Sequence, residues 1–113
     1  MFASASEDGY VNIWDLRMGE FIKQLKVDNN EPISSIKFVG EGNKKHLIIA
    51  HSDKLSILSA KDNFNKRHTY SIGSQYKISK MEYNGLENNL YFALKQNRGM
   101  SNILSVWNID FNN

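Results

Sequence analysis

The chain of 113 residues contains no cysteine, and this absence excludes several kinds of chemistry at once. Without thiols there is no disulfide framework, no cysteine-ligated zinc or iron–sulfur site and no thiol nucleophile. A single proline and seven glycines exclude a proline-rich linker and a collagen-like chain. Long apolar segments are also lacking, because the longest run, residues 47–50, is far shorter than the roughly 20 residues of a membrane-spanning helix.

The chain also lacks a large excess of charge of either sign. The chain has 14 Lys and Arg against 12 Asp and Glu, a net charge of +2. This balance argues against a protein whose surface coats nucleic acid, which typically carries a dense basic face. The first eight residues have neither the basic region nor the apolar core of a signal peptide. We therefore expect a cytoplasmic or nuclear protein.

Short β-type segments separated by turn residues fill the chain, and no window shows helical periodicity. Asp8-Gly9 predicts a tight hairpin turn. Residues 28–32 are expected to form a turn, residues 61–66 a polar loop and residues 96–102 a longer hairpin loop. Residues 46–51 are a nearly continuous apolar run, which is expected of a strand with both faces buried. Trp14, Leu58 and Trp107 end equivalent strands, 44 and then 49 residues apart. A period of about 40–45 residues with four strands per unit is typical of a propeller blade. The ten predicted strands fall into groups of three, four and three: residues 2–6, 10–14 and 21–27; 33–39, 46–51, 55–58 and 67–72; and 78–83, 90–94 and 103–109.

Residues 3–17, ASASEDGYVNIWDLR, resemble the second and third strands of a blade in the WD-repeat (WD40-type) β-propeller family. Small residues, Ser-x-Asp-Gly, alternating apolar positions and Trp-Asp occur together there. The resemblance weakens along the chain. In the second unit His51 stands where Ser6 stood, Asp53 keeps the turn aspartate, and Leu58 replaces the tryptophan. In the third unit Trp107-Asn108 replaces Trp-Asp.

The resemblance implies a set of structural residues: Ser6, Asp8, Trp14, Asp15, Asp53 and Trp107. In the family a histidine joins Asp, Ser and Trp in a buried hydrogen-bonded group, and its position here would precede residue 1. Burial of Asp8 without that histidine would leave its charge poorly compensated.

The strand count and the resemblance together predict an all-β fold, a partial propeller of about two and a half to three four-stranded antiparallel blades from the C-terminal part of a ring. The predicted units are an incomplete blade at 2–27, a complete blade at 32–73 and a last blade at 77–110 that lacks its outer strand. Because each blade packs on both neighbours, a partial ring exposes apolar faces. We therefore expect that the chain alone is not a stable monomer. Its partner is expected to be the rest of the propeller or a second copy.

Catalysis is not expected. His46 and His51 are five residues apart on one predicted strand, so they face opposite sides and cannot share a metal ion. His68 is the third histidine, and no Ser/His/Asp set is suggested by spacing. Gly40-Glu41-Gly42 lacks the Lys-Ser/Thr and the helix of a phosphate-binding loop. The sequence predicts no catalytic, cofactor-binding or metal-binding residues, no small-molecule substrate and no membrane partner.

The expected function is a non-catalytic scaffold for protein–protein interaction within a multiprotein complex. One alternative is a substrate receptor of a cullin-4 type ubiquitin ligase, because Asp8, Trp14, Asp15 and Arg17 resemble the box with which such receptors bind their adaptor. Another is a propeller that contacts RNA in ribosome or transcript assembly. Its basic rim would consist of Lys44, Lys45, Lys61, Lys66, Arg67 and His68.

Overall fold

The computed structural model describes residues 1–27, 31–96, 98 and 102–109. Within these ranges the chain forms ten β-strands and two short 3-10 helices, Gly42–Lys44 and Ala60–Asp62. Each predicted strand corresponds to an observed one. Residues 28–30 of the predicted turn at 28–32, most of the predicted loop at 96–102 and the end of the third predicted unit at residue 110 lie outside the described residues. The strands are β1 (Phe2–Ala5), β2 (Tyr10–Asp15), β3 (Glu20–Lys26), β4 (Ile33–Val39), β5 (His46–His51), β6 (Lys54–Ser59), β7 (Arg67–Ser71), β8 (Tyr76–Asn84), β9 (Asn89–Gln96) and β10 (Asn102–Asn108).

The strands form three antiparallel sheets, and each sheet is a meander of consecutive strands. The first sheet has the order β1-β2-β3, the central sheet β4-β5-β6-β7 and the third sheet β8-β9-β10. The predicted hairpin turn at Asp8-Gly9 is present, with Gly9 at a φ of 87° that favours glycine. The predicted all-β class, with three-stranded and four-stranded antiparallel sheets, is confirmed.

The central sheet is packed between the other two. Leu47, Ile49 and Leu58 join the core shared with the first sheet. Ile48 and Ile57, which are adjacent to Leu47 and Leu58 on the same strands, join the core shared with the third sheet. Strand β5 is a nearly continuous apolar run because both of its faces are covered, as the sequence predicted. Burial of each such side chain stabilises the fold by about 1.5–3 kcal/mol.

Equivalent backbone hydrogen bonds show that the sheets repeat one another. The amide of Val27 donates to Gly9 O in the first sheet (2.9 Å), and the amide of Ile72 donates to Asp53 O in the central sheet (2.8 Å). A second pair of equivalent bonds relates the central and third sheets. The amide of Ala60 donates to Lys45 O in the central sheet (2.9 Å), and the amide of Ile109 donates to Asn88 O in the third sheet (2.7 Å).

These bonds fix which positions correspond. Counting along the strands from the bonded residues, Trp14, Leu58 and Trp107 occupy the same position in the three sheets, as the sequence predicted. In the described part of the chain, no helix is long and apolar enough to cross a membrane.

Candidate functional site

The hairpin of the first sheet brings together two members of the predicted structural set. Ser6 Oγ donates a hydrogen bond to the Asp8 carboxylate. Both residues are exposed, so Asp8 does not carry the desolvation cost that burial without a histidine would impose. Trp14 lies six residues farther along and packs edge-on against Phe21, with ring centroids 5.1 Å apart. Its exposed fraction is 37%.

Asp15 organises the turn that follows β2. Its Oδ1 accepts hydrogen bonds from the backbone amides of Arg17 (3.0 Å) and Met18 (3.4 Å). The Arg17 guanidinium Nε lies 4.0 Å from the same oxygen, and the Arg17 side chain is 93% exposed. Asp8 and Asp15 flank opposite ends of β2, which places their backbones roughly 20 Å apart at the rise of an extended strand. The four residues of the predicted adaptor box therefore do not form one cluster.

Asp53, predicted to keep the turn aspartate, lies in the turn between β5 and β6. This hairpin is one residue shorter than the one between β1 and β2. The Asp53 carbonyl accepts from Ile72 as the carbonyl of Gly9 accepts from Val27, so Asp53 takes the place of Gly9 when positions are counted from β6, and that of Asp8 when they are counted from His51. The Asp53 carboxylate lies 3.8 Å from Lys54 Nζ.

Trp107 is partly buried against the core between the central and third sheets. Its ring packs edge-on against Phe92 at 5.1 Å and against Tyr70 of β7 at 5.9 Å. Asn108, which replaces the aspartate of Trp-Asp, donates from Nδ2 to Asn89 Oδ1 at 3.1 Å. Trp107 thus packs the third sheet against β7, the outer strand of the central sheet.

A buried polar network in the central sheet was missed by sequence reasoning. His51 Nε2 lies 2.7 Å from Ser56 Oγ, and Ser56 Oγ lies 3.2 Å from Thr69 Oγ1. On the other side of the ring, His51 Nδ1 lies 3.4 Å from the Glu31 carboxylate. Glu31 also accepts a hydrogen bond from Lys54 Nζ at 2.6 Å. The network connects the segment before β4 with strands β5, β6 and β7.

Burial controls the charge of this network. His51 and Ser56 are fully buried. Desolvation lowers the pKa of His51 below its usual value of 6.5, although the hydrogen bond and charge of Glu31 oppose the shift. The imidazole is therefore mostly neutral at pH 7. It acts as a donor to one partner and an acceptor from the other.

Glu31, His51 and Ser56 have the acid–histidine–serine order of a hydrolase triad, which no spacing in the sequence indicated. A nucleophilic serine must reach a substrate, and here the Ser56 hydroxyl has no solvent-accessible surface. The arrangement therefore holds strands together and is not an open catalytic site. No group of three or more His, Asp or Glu side chains suited to a metal ion occurs among the residues that the structure describes.

The other two histidines line a cavity of about 400 Å³ between the central sheet and β10. Ile57, His68 and Tyr70 contribute one wall, and Trp107 and Ile109 contribute another. His46 and Lys66 lie at the same cavity.

Two residues of the predicted basic rim make local contacts. Lys45 Nζ lies 5.7 Å from the centre of the Phe38 ring, and the Arg67 guanidinium donates to Lys26 O at 2.7 Å. The structure thus gives these two residues roles within the fold.

Comparison with solved structures identifies the class of fold. The chain is similar to the crystal structure of the C-terminal WD40 domain of Sif2, with a TM-score of 0.69 and 21% sequence identity. The match covers 95% of this chain and 30% of that chain. No protein-family model matches the sequence, and no curated protein matches it.

The fold is therefore that of part of a β-propeller. More specifically, it is that of part of a WD40 propeller, and the resemblance seen in residues 3–17 is confirmed at the level of the fold. The chain spans about a third of the domain that it matches.

Proposed function

We propose that this chain is a non-catalytic protein-interaction scaffold, a section of a propeller whose two outer sheet faces are covered by further blades. These blades belong to the rest of a propeller or to a second copy of the chain, in a cytoplasmic or nuclear complex. The observation that carries the proposal is the contrast between the central sheet, covered on both faces, and its two neighbours, each covered on one.

The outer face of the first sheet carries three large aromatic side chains. Trp14 pairs with Phe2 on β1 and with Phe21 on β3. Trp14 alternates with the buried Ile13, so it points away from the central sheet. Phe2 is 49% and Phe21 51% exposed. On the central sheet the corresponding face, which includes Leu58, is buried.

The outer face of the third sheet is also apolar. Leu104 pairs with Ala93, and Val106 pairs with Tyr91, in alternation with the buried Phe92 and Leu94. Leu104 is 67% exposed. Contiguous apolar patches of this kind on a folded surface indicate an interaction site.

Site-specific photo-crosslinking tests the proposal. A crosslinking amino acid replaces Phe21 or Leu104 in the full chain expressed in its source cells, and Leu86, which is 98% exposed on a turn, is the matched control. We expect both face positions to crosslink to β-sheet segments of a propeller, identified by mass spectrometry, in a different polypeptide or a second copy. Crosslinking at these positions no stronger than at Leu86 would contradict the proposal.

A substrate-receptor role in a cullin-4 type ubiquitin ligase is a second candidate. The observation in its favour is the Arg17 side chain, which is 93% exposed beside a turn ordered by Asp15. An exposed guanidinium can make charge-assisted hydrogen bonds to a partner. Arg17→Ala is then expected to abolish binding to the purified adaptor, with substitution of the exposed Lys80 on β8, Lys80→Ala, as control. Equal binding by the two variants would eliminate this role.

A further inference from the structure

The outer face of the third sheet matches a face that is buried inside the chain. On this outer face Tyr91 pairs with Val106, and Ala93 pairs with Leu104. Strand register gives the corresponding residues of the central sheet, which are Ile48, Ile57, Ala50 and Leu55. All four of these are buried in the core shared with the third sheet. The third sheet therefore presents to solvent the kind of face that the central sheet buries.

The outer face of the first sheet matches the other side of the same buried interface. Phe2 pairs with Trp14, and Ser4 pairs with Asn12. Strand register gives the corresponding residues of the third sheet, which are Leu90, Trp107, Phe92 and Ser105. The apolar members of that set pack in the core against the central sheet. The two outer faces thus correspond to the two sides of an interface that the chain also contains in closed form.

The two outer faces are complementary in size. In the buried interface the large ring is that of Phe92 on the third sheet, which lies in the same core as Ile48 and Ala50 of the central sheet. On the outer faces the ring lies on the opposite side, because Tyr91 takes the place of Ile48 and Ser4 takes the place of Phe92. A gain of volume on one face is thus matched by a loss on the other, as close packing requires.

Charged side chains do not obstruct contact between the two outer faces. In the third sheet Lys80 and Glu82 pair with outer-face residues of β9, but they lie on β8 at the edge of the sheet. Among the described residues, the first sheet has strands that correspond to β9 and β10 and none that corresponds to β8. Lys80 and Glu82 therefore stay in water when the faces meet, and Glu82 already pairs with Lys37 of β4. The contact does not bear the cost of burying an unpaired charge.

We propose that the partner of both outer faces is a second copy of this chain, with the first sheet of each copy packed on the third sheet of the other. The inference rests on the proposed function and names its partner. Each contact joins two different faces, and two such contacts close a ring of two chains with three sheets each. Propellers typically have about four to eight blades, so the resulting ring lies within the range that this architecture closes.

The two outer faces can be blocked separately to test this head-to-tail association. Trp14→Lys places a charge on the outer face of the first sheet, and Leu104→Lys places one on the outer face of the third. Each variant alone is expected to form dimers at least about a hundredfold more weakly than the unchanged chain, because an unpaired charge enters both contacts. Leu86→Lys, at a turn position that is 98% exposed, is the matched control and is expected to dimerise normally. Circular dichroism checks the fold of each variant.

A mixture of the two blocked variants restores one contact. The third sheet of the Trp14→Lys chain and the first sheet of the Leu104→Lys chain are both unchanged, so we expect a one-to-one complex. Native mass spectrometry distinguishes this complex from either homodimer, because the two variants differ in mass. Absence of the mixed complex when both variants are folded would overturn the proposal. Dimers of the Trp14→Lys chain alone would also overturn it, because they require contact between two third sheets.

The mass of the unchanged chain decides the matter even where a variant does not fold. At low micromolar concentration we expect particles of two chains. Monomers, or particles that grow beyond two chains as the concentration rises, would overturn the closed ring. Crosslinking of Phe21 and Leu104 to a propeller segment of a different polypeptide would support the scaffold function even where the second copy is excluded, so the two failures are distinguishable.

Discussion

The first and central sheets place different residues at equivalent positions, and the two positions differ in burial. Ser6 and Trp14 are exposed on the first sheet, whereas their counterparts His51 and Leu58 are buried in the central one. Among the residues that the structure describes, the central sheet has a fourth strand and a neighbour on each face, whereas the first sheet has three strands and a neighbour on one face. Burial at these positions is therefore set by place in the stack of sheets rather than by residue type, since the larger and more apolar tryptophan is the exposed one.

The largest expected effect on stability is that of substituting Leu58, which we compare with substitution of its counterpart Trp14. Leu58→Ala leaves a cavity in a closed core, and we expect it to lower the free energy of unfolding by about 2–5 kcal/mol at every protein concentration. Trp14→Ala removes a side chain from an interface face, so its cost is expected to depend on protein concentration. Urea unfolding at several concentrations measures both effects. A large, concentration-independent loss for Trp14→Ala would show that the outer face of the first sheet is not an interface.

A smaller difference in stability is expected between alanine substitutions at His51 and at its counterpart Ser6. His51→Ala breaks the buried network and leaves the hydroxyl of Ser56 without its closest partner, at a cost of about 1–3 kcal/mol. Ser6→Ala removes an exposed hydrogen bond and is expected to cost less than about 0.5 kcal/mol. Urea midpoints of the two variants against the unchanged chain provide the measurement. Equal costs would place the two positions in similar environments and remove the contrast.

The smallest expected effect is on pH dependence. The folded chain holds the pKa of His51 below 6.5, so the unfolded chain binds more protons as the pH falls through that value. Stability is therefore expected to be complete above about pH 6.5 and to decline below it, and His51→Gln should remove this part of the decline. Unfolding midpoints between about pH 5 and 7.5 test the sign. Stability that rises on acidification through His51 would mean that the charge of Glu31 outweighs burial.

Features of the fold that depend on local sequence patterns could be predicted from the sequence. Alternation and turn residues located the strands, and the continuous apolar run of β5 predicted a strand with both faces covered. Contacts that depend on the alignment of segments distant in the sequence could not be predicted from local patterns. The network of Glu31, His51 and Ser56 forms only when segments distant in the sequence align.

Phe64 is the clearest example of a contact that the sequence alone did not predict. Residues 61–66 read as a polar loop because five of the six side chains are polar. In the structure the single apolar residue is 1% exposed and closes the core between two sheets. One aromatic side chain in a polar segment has no periodicity, so its burial follows from the neighbouring sheet and not from its sequence context.

The central claim is that the outer faces of the first and third sheets are interfaces. Light scattering after size-exclusion chromatography, with a thermal melt of the same sample, tests it most directly on the isolated 113-residue chain. We predict that at low micromolar concentration the chain self-associates or lacks a cooperative melt, because both apolar faces need a partner. A monodisperse monomer with a sharp two-state transition would contradict the account.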